Sequence, residues 1–464
     1  MSNNRELFEQ LIQTFERADL PYCILAGYDE YPERIPSDID FMIHPSWIDR
    51  LPNLIAETGA AVEAGLVQFL QHETTATYFV LARLQGATIT YLHPDSSSDY
   101  RRRGKLWLNA EKILQHRRRH ANGFWVPSPA DAFAYYLIKK LDKGNLGPEQ
   151  TAQLTARYAE DPRGCARALL TLLPKFEAGI IQTAVCTPTY FHETNWSAVW
   201  ADVIEDLPRL RRALHAKAEP VPLIKRIQHT MTNLQRILAR CRQPTGLRIV
   251  FLGPDGSGKS TVINAVTQQL SQAFRQVEYR HLRPGKLPQG VSKNAAHADD
   301  PHGRQQRGQL GSIAKLLYFW GSYQIGSLIW LYPRYLRSTL VIFDRYYQDL
   351  LADPTRYRYS ASIKLARLLG RWLPQPDLVF ILDAPAEVLQ SRKQEVPFAE
   401  SARQRNAYRA LASEFRQAHV IDTNKPLDQV VATVLSHTIV FLERRATKRL
   451  GLTTTKMAFN LCKH

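Results

Sequence analysis

The residues best equipped for chemistry lie together in Gly253-Pro-Asp-Gly-Ser-Gly258-Lys259-Ser260-Thr261, a stretch that fits G-x-x-x-x-G-K-[ST] at every fixed position. Gly253, Gly256 and Gly258 let the backbone curl so that successive N–H groups, that of Ser257 among them, point at a polyphosphate. A helix beginning behind them adds the positive end of its dipole. Lys259 would reach the β and γ phosphates, and the Ser260 hydroxyl, followed by Thr261, would hold Mg²⁺. A glycine-rich turn without a ligand is the plainer alternative, and the strand and helix that flank the stretch argue against it. A further acid, Asp344, ends the apolar run Leu340-Val-Ile-Phe343. It places a carboxylate at a strand end, where it would steady the same magnesium. Asp38 and Asp40 make a separate pair. Alternation along a strand sends both to one face, and two close carboxylates need a counter-charge, which a divalent cation supplies most simply. A solvated strand start is the alternative for that pair.

These residues need elements to hold them. Leu247-Arg-Ile-Val-Phe-Leu252 reads as a short strand before the glycine-rich stretch, and Val262 to Phe274 as a helix after it. Leu378-Val-Phe-Ile-Leu-Asp383 is a further strand, and helical patterns alternate with these, so the region 246–445 is expected to be a three-layer α/β sandwich around a parallel sheet. Nearer the N-terminus, a helical face (Leu7, Leu11, Ile12, Phe15) precedes strands at 22–27, 38–43 and 87–92, the last ending at His93-Pro94-Asp95. This predicts an α+β domain over 1–126. From Ala130 to Arg242 the pattern is helical, with Ser128 placed to cap the first helix, and Gln243-Pro-Thr-Gly246 reads as a hinge. Residues 446–464 read as a basic tail. A chain of 464 residues is long enough for three units at roughly 100–200 residues each.

Composition narrows the classes. The five cysteines are scattered singly, with no C-x-x-C pair, which speaks against a structural zinc site or a disulfide framework and for a reducing, cytoplasmic setting. The first residues are polar rather than apolar, so no leader is expected. Leu316 to Tyr332 is uncharged but interrupted by Gly321, Ser322, Gln324, Gly326 and Ser327, and reads as a buried or interfacial helix rather than a membrane span. The net charge of +17 fits polyanionic nucleotides, nucleic acid or an anionic membrane surface. Two basic runs, Arg101 to Arg103 and His116 to His120, lack interleaved aromatics, so nucleic acid is not favoured.

Two family resemblances follow from these motifs. The loop with Asp255 and Thr261, the run Asp344-Arg345-Tyr346, and Arg283-Pro284-Gly285 resemble thymidylate kinase, in the nucleoside monophosphate kinase group of P-loop NTPases. That resemblance implies ATP and Mg²⁺ and places Asp255 near the acceptor, with Arg345 on the acceptor phosphate. It also implies lid arginines among Arg392, Lys393, Arg403 and Arg405, and a loop at Asn424 against adenine. Its thymine-recognition residues do not align between Gly285 and Leu340, so the acceptor stays open. The N-terminal turn at Gly27, Asp38 and Asp40, with Asp95 as third acid, resembles the nucleotidyltransferase superfamily, although Ala26-Gly27-Tyr28 stands where that family usually has Gly-Ser. It implies that Asp38, Asp40 and Asp95 bind a metal.

The leading expectation is an ATP- and Mg²⁺-dependent kinase acting on a small phosphorylated or hydroxylated acceptor. Two other classes stay open: an NTP-driven switch with no small-molecule acceptor, and a nucleotidyltransferase acting on a sugar phosphate or a macromolecule. Peripheral membrane contact and a homodimer also stay open.

Overall fold

The structure is a computed structural model and describes residues 4–73, 75–102, 105–144, 146–187, 197–220, 223–285, 308–394 and 396–452. Contacts divide the chain into two compact units, one of residues 1–81, 92–237 and 450–464 and the other of residues 82–91 and 238–449.

The N-terminal sheet is built from β1 (Tyr22–Ala26), β2 (Asp38–Ile43), β3 (Gly65–Glu73), β4 (Ala76–Gln85) and β5 (Thr88–Ser97), in the spatial order β1-β2-β5-β4-β3. β1 runs antiparallel to β2, and β2 parallel to β5 with Asp38 opposite His93 and Asp40 opposite Asp95. Helix α1 (Pro129–Lys143) begins where the Ser128 hydroxyl accepts from the Asp131 N–H and ends at Gly144 with φ +65°. Its apolar stripe, Phe133, Leu137, Ile138 and Leu141, is buried in the same core as Cys23, Leu25 and Met42 of β1 and β2. The helical region after residue 127 therefore shares one hydrophobic core with the strands that precede it.

The second unit is a five-stranded, wholly parallel sheet. Its strands are β6 (Leu247–Leu252), β7 (Gln276–His281), β8 (Thr339–Asp344), β9 (Leu378–Asp383) and β10 (Ala418–Asp422), in the order β7-β8-β6-β9-β10. β6, β8 and β9 are buried at every position, as expected of central strands covered on both faces. Within β6 the apolar composition is broken by Arg248, which is satisfied internally. Its guanidinium donates to Tyr346 Oη and to the Pro374 carbonyl, each at 3.1 Å, and also to Tyr335 Oη. The helices are α2 (Lys259–Leu270), α3 (Gln309–Gly326), α4 (Ile363–Gly370), α5 (Ala386–Arg392), α6 (Phe398–Ala410) and α7 (Leu427–Leu450). β6 is central, and the chain leaves it for β7, two strands away. The glycine-rich stretch thus sits at a topological switch point, where open α/β sheets place their ligands.

One sequence expectation changes. The boundary drawn at residue 446 cuts through α7, which buries Ala446 and Thr447 and ends at Leu450; the rest of the expected tail, 453–464, lies outside the described residues. The segment Leu316 to Tyr332, expected to be a buried or interfacial helix, is amphipathic. Leu316, Phe319 and Tyr323 face the core, while Leu317, Ile325 and Leu328 are exposed. Among the described residues no helix is long and apolar enough to cross a membrane.

Candidate active site

The loop after β6 has the backbone its sequence calls for. Gly253 and Gly256 adopt φ values of +148° and +83°, and a Cβ at these positions would stand 2.5 Å from the Leu382 carbonyl oxygen and 2.7 Å from that of Leu389. Any other residue would thus meet strained dihedrals and backbone at once. Gly258, also at positive φ, precedes the first turn of α2. Ser260 and Thr261 are exposed on that turn, while Ser257 is fully buried. Lys259 is buried, and its ammonium donates to the carbonyls of Gly253 and Pro254, each at 2.8 Å. Burial first, and the Arg345 charge second, push it down to about 8, against the opposing pull of Asp255 and Asp344.

Across from the loop, β8 delivers Asp344. Its Oδ2 accepts from Tyr279 Oη at 3.0 Å, whereas its Oδ1 is buried with no hydrogen-bond partner among the described residues. A buried carboxylate oxygen left unmatched is costly unless something else meets it. A Mg²⁺ ion held with Ser260 fits that oxygen.

Arg345 takes the left-handed conformation, φ +72°, and its side chain is almost wholly buried. Nη1 donates to Asp349 Oδ2 at 2.8 Å, and Nη2 to Asp255 Oδ1 at 2.6 Å. The other oxygen of Asp255 accepts from Arg356 Nη1, again at 2.6 Å. Asp349 has no exposed surface; Tyr408 and Tyr357 donate their hydroxyls to it at 2.6 and 2.7 Å. Burial alone would raise the Asp349 carboxyl, but Arg345 and the two hydroxyls hold it below its ordinary value. Burial likewise works against the Arg345 charge, and Asp349, Tyr408 and Asp255 overcome it, keeping the guanidinium well above its usual range.

The sequence flagged Asp255, Lys259, Asp344 and Arg345, and the structure brings these four together. It missed Asp349, although an acid four residues after Arg345 and just before the apolar pair Leu350-Leu351 was a usable signal. Arg356 lies in Asp353-Pro-Thr-Arg356-Tyr357-Arg358-Tyr359, a basic and aromatic stretch that carries no motif of its own. The expected lid arginines find partners elsewhere. Arg392 donates to the Thr423 carbonyl at 3.1 Å, and Arg403 to Glu400 and to the Ala352 carbonyl. Arg405 grips Asp383 with two bonds of 2.7 and 3.0 Å. Asn424 is exposed just past β10, its backbone N–H on Asp422.

Asp38 and Asp40, expected to bind a metal together with Asp95, have partners within the protein. No group of three or more His, Cys, Asp or Glu side chains among the described residues is placed to hold a metal. The counter-charge comes from the protein. Lys139 of α1 pairs with Asp40 through its Nζ, and Asp38 Oδ1 lies 3.0 Å from His93 Nδ1. That hydrogen bond, more than the partial burial that opposes it, holds the Asp38 carboxyl below its ordinary value. Sequence spacing foresaw the need for positive charge but not that a helix a hundred residues downstream would supply it.

Comparisons with known proteins match the C-terminal part of the chain. Residues 251–434 match the thymidylate kinase family. Thymidylate kinase of Xanthomonas campestris is 27% identical over 220 residues, spanning 46% of this chain and 90% of that protein. Probable thymidylate kinase 1 of Saccharolobus solfataricus is 27% identical over 191 residues, spanning 39% of this chain and 92% of that one. A crystal structure of thymidylate kinase from Ehrlichia chaffeensis is 21% identical, with 42% of this chain and 98% of that chain covered and a TM-score of 0.31. The C-terminal region of this chain, residues 251–434, is a thymidylate kinase domain.

Proposed function

We propose that the second unit is an ATP- and Mg²⁺-dependent phosphotransferase whose acceptor is a small molecule that already carries a phosphate, not necessarily dTMP. The carrying observation is the placement of two guanidinium groups, Arg345 and Arg356, one on each oxygen of Asp255, with the Lys259 ammonium 3.9 Å from the same carboxylate. Phosphoryl transfer asks for cations set around donor and acceptor before reaction, more than for covalent chemistry by the protein.

The loop amides, the α2 dipole and Lys259 bind the donor's phosphates. Ser260 and the open Oδ1 of Asp344 would hold Mg²⁺, which when bound neutralises charge on those phosphates. Arg345, fixed from behind by Asp349, directs its other nitrogen toward the acceptor side, and Arg356 doubles the positive charge there. Two forked donors suit a phosphate dianion better than a neutral hydroxyl. Arg392 and Arg403, held here by the Thr423 carbonyl and by Glu400 with the Ala352 carbonyl, would have to leave those partners to add charge over the phosphates and exclude water. The test is ADP formation with a panel of nucleoside monophosphates, sugar phosphates and their dephosphorylated counterparts. Turnover that depends on an acceptor phosphate supports the reading; slow hydrolysis indifferent to every acceptor supports a nucleotide-driven switch instead.

A further inference from the structure

The first unit holds a cavity that the chemistry above does not use. It lies among the strand Lys105–Asn109, the helix Ala110–His116, α1, and the helices Pro162–Leu172 and Leu207–Lys217. Its volume is about 450 Å³, within the range of small-molecule sites. Leu108, Ile113, Ala134, Leu172 and Leu214, all buried, make an apolar wall to which the strand adds Trp107. Trp107 is 8% exposed, its ring 6.0 Å from that of Tyr100 and 4.9 Å from that of His215. Its indole N–H has no acceptor among the described residues. A buried tryptophan N–H ordinarily has one, because a donor taken out of water and left unmatched is costly.

The charges at the edge of the cavity decide what suits it. Lys112 and Lys217 are exposed there. Lys217 donates to the carbonyls of Leu170 and Leu173, at 3.0 and 3.5 Å, which leaves its charge uncancelled. The acid in the lining, Asp131, already accepts the Ser128 hydroxyl at 2.6 Å and lies 3.6 Å from the His116 imidazole. The charge left over at the edge is therefore positive.

We propose that this cavity binds a small carboxylate with an aromatic or branched apolar body. The body fills the apolar wall, an acceptor oxygen takes the Trp107 N–H, and Lys112 and Lys217 meet the negative charge. Among the described residues no arginine and no glycine cradle lines the cavity, in contrast to the nucleotide loop of the second unit, so a phosphate dianion is poorly served there. The first unit thus has a ligand site of its own, independent of phosphoryl transfer.

The test is nuclear magnetic resonance of the full chain carrying isotope-labelled tryptophan, with naphthylacetate as probe and naphthylethanol as its uncharged match in shape. The indole resonance of Trp107 is identified among eight tryptophans by its loss in Trp107→Phe. Naphthylacetate shifts that resonance saturably and downfield, as a new hydrogen bond requires, and naphthylethanol binds at least about tenfold more weakly. In equilibrium dialysis Trp107→Phe lowers the affinity for naphthylacetate by about fivefold. Lys112→Gln and Lys217→Gln each lower it by about threefold. Lys112 is exposed, so its replacement carries the test even if Trp107→Phe does not fold; unmoved resonances of the other tryptophans show that the variant has kept its structure. A Trp107 resonance that naphthylacetate does not move overturns the proposal. So does equal affinity for the alcohol, or an affinity that Lys112→Gln and Lys217→Gln leave unchanged.

Discussion

Asp40 of the first unit and Asp344 of the second each adjoin a run of apolar residues on a strand, yet they end in opposite electrostatic states. Asp40 is paired with Lys139 from a helix of its own core, so its charge is answered within the protein. Asp344 keeps one buried oxygen without a partner among the described residues, beside a lysine and a glycine cradle. The difference teaches that spacing can announce a need for positive charge but not who supplies it. An acid is available to a ligand only where the fold withholds its own cations.

Changes in the second unit should break this contrast most severely. Lys259→Ala is expected to lower ADP formation by about 10²–10³-fold, the range for losing one preorganised donor, whereas Lys139→Ala, which strips the first unit's own cation, leaves the same rate within about twofold. Next comes the support of Arg345. Asp349→Asn leaves a buried guanidinium short of its charge partner and should destabilise the second unit by about 3–5 kcal/mol, read from the denaturant midpoint, with activity falling as Arg345 loses its anchor. Arg356→Ala, at the rim of the same cluster, should raise the acceptor KM by about tenfold with little change in the KM for ATP.

A smaller effect sharpens the comparison from the first unit's side. In an Asp344→Asn background, Lys139→Ala frees Asp40 and should create a weak Mn²⁺ site visible by electron paramagnetic resonance, where the parent shows none. Retained silence would mean that Lys139 is not what excludes the cation. The smallest effect is on pH. Lys259 is pushed down to about 8 from a value of 10.5, so the unfolded chain binds a proton that the folded chain has released between those values. Stability without nucleotide should therefore rise from pH 8 toward 10.5, by about 1–3 kcal/mol, relative to Lys259→Met. Below pH 8 both states hold the proton and that difference flattens.

Much of the second unit was legible because its signals are local. Gly253, Gly256 and Gly258 report their own dihedrals, Lys259 and Ser260 follow at fixed offsets, and three apolar runs announce buried parallel strands. What escaped depends on long-range packing. Arg248 inside a central strand needed Tyr335 and Tyr346, distant in sequence, to explain it. Asp349 needed Tyr357 and Tyr408, and Arg405 turned out to be bound to Asp383 rather than poised over the loop. In the first unit Ser128 was readable as a cap because capping is local, while the partnership of Asp40 with Lys139 spans 99 residues and leaves no trace in either neighbourhood.

The central claim is that Arg345 and Arg356 grip a phosphate on the acceptor. It is tested most directly by measuring ADP formation with one acceptor in its phosphorylated and dephosphorylated forms, for the native chain and for Arg345→Ala. The account predicts turnover at least about 10²-fold above the acceptor-free rate with the phosphorylated form only, and loss of that gain in Arg345→Ala. Equal rates with both forms, or a gain that survives the removal of Arg345, would contradict it.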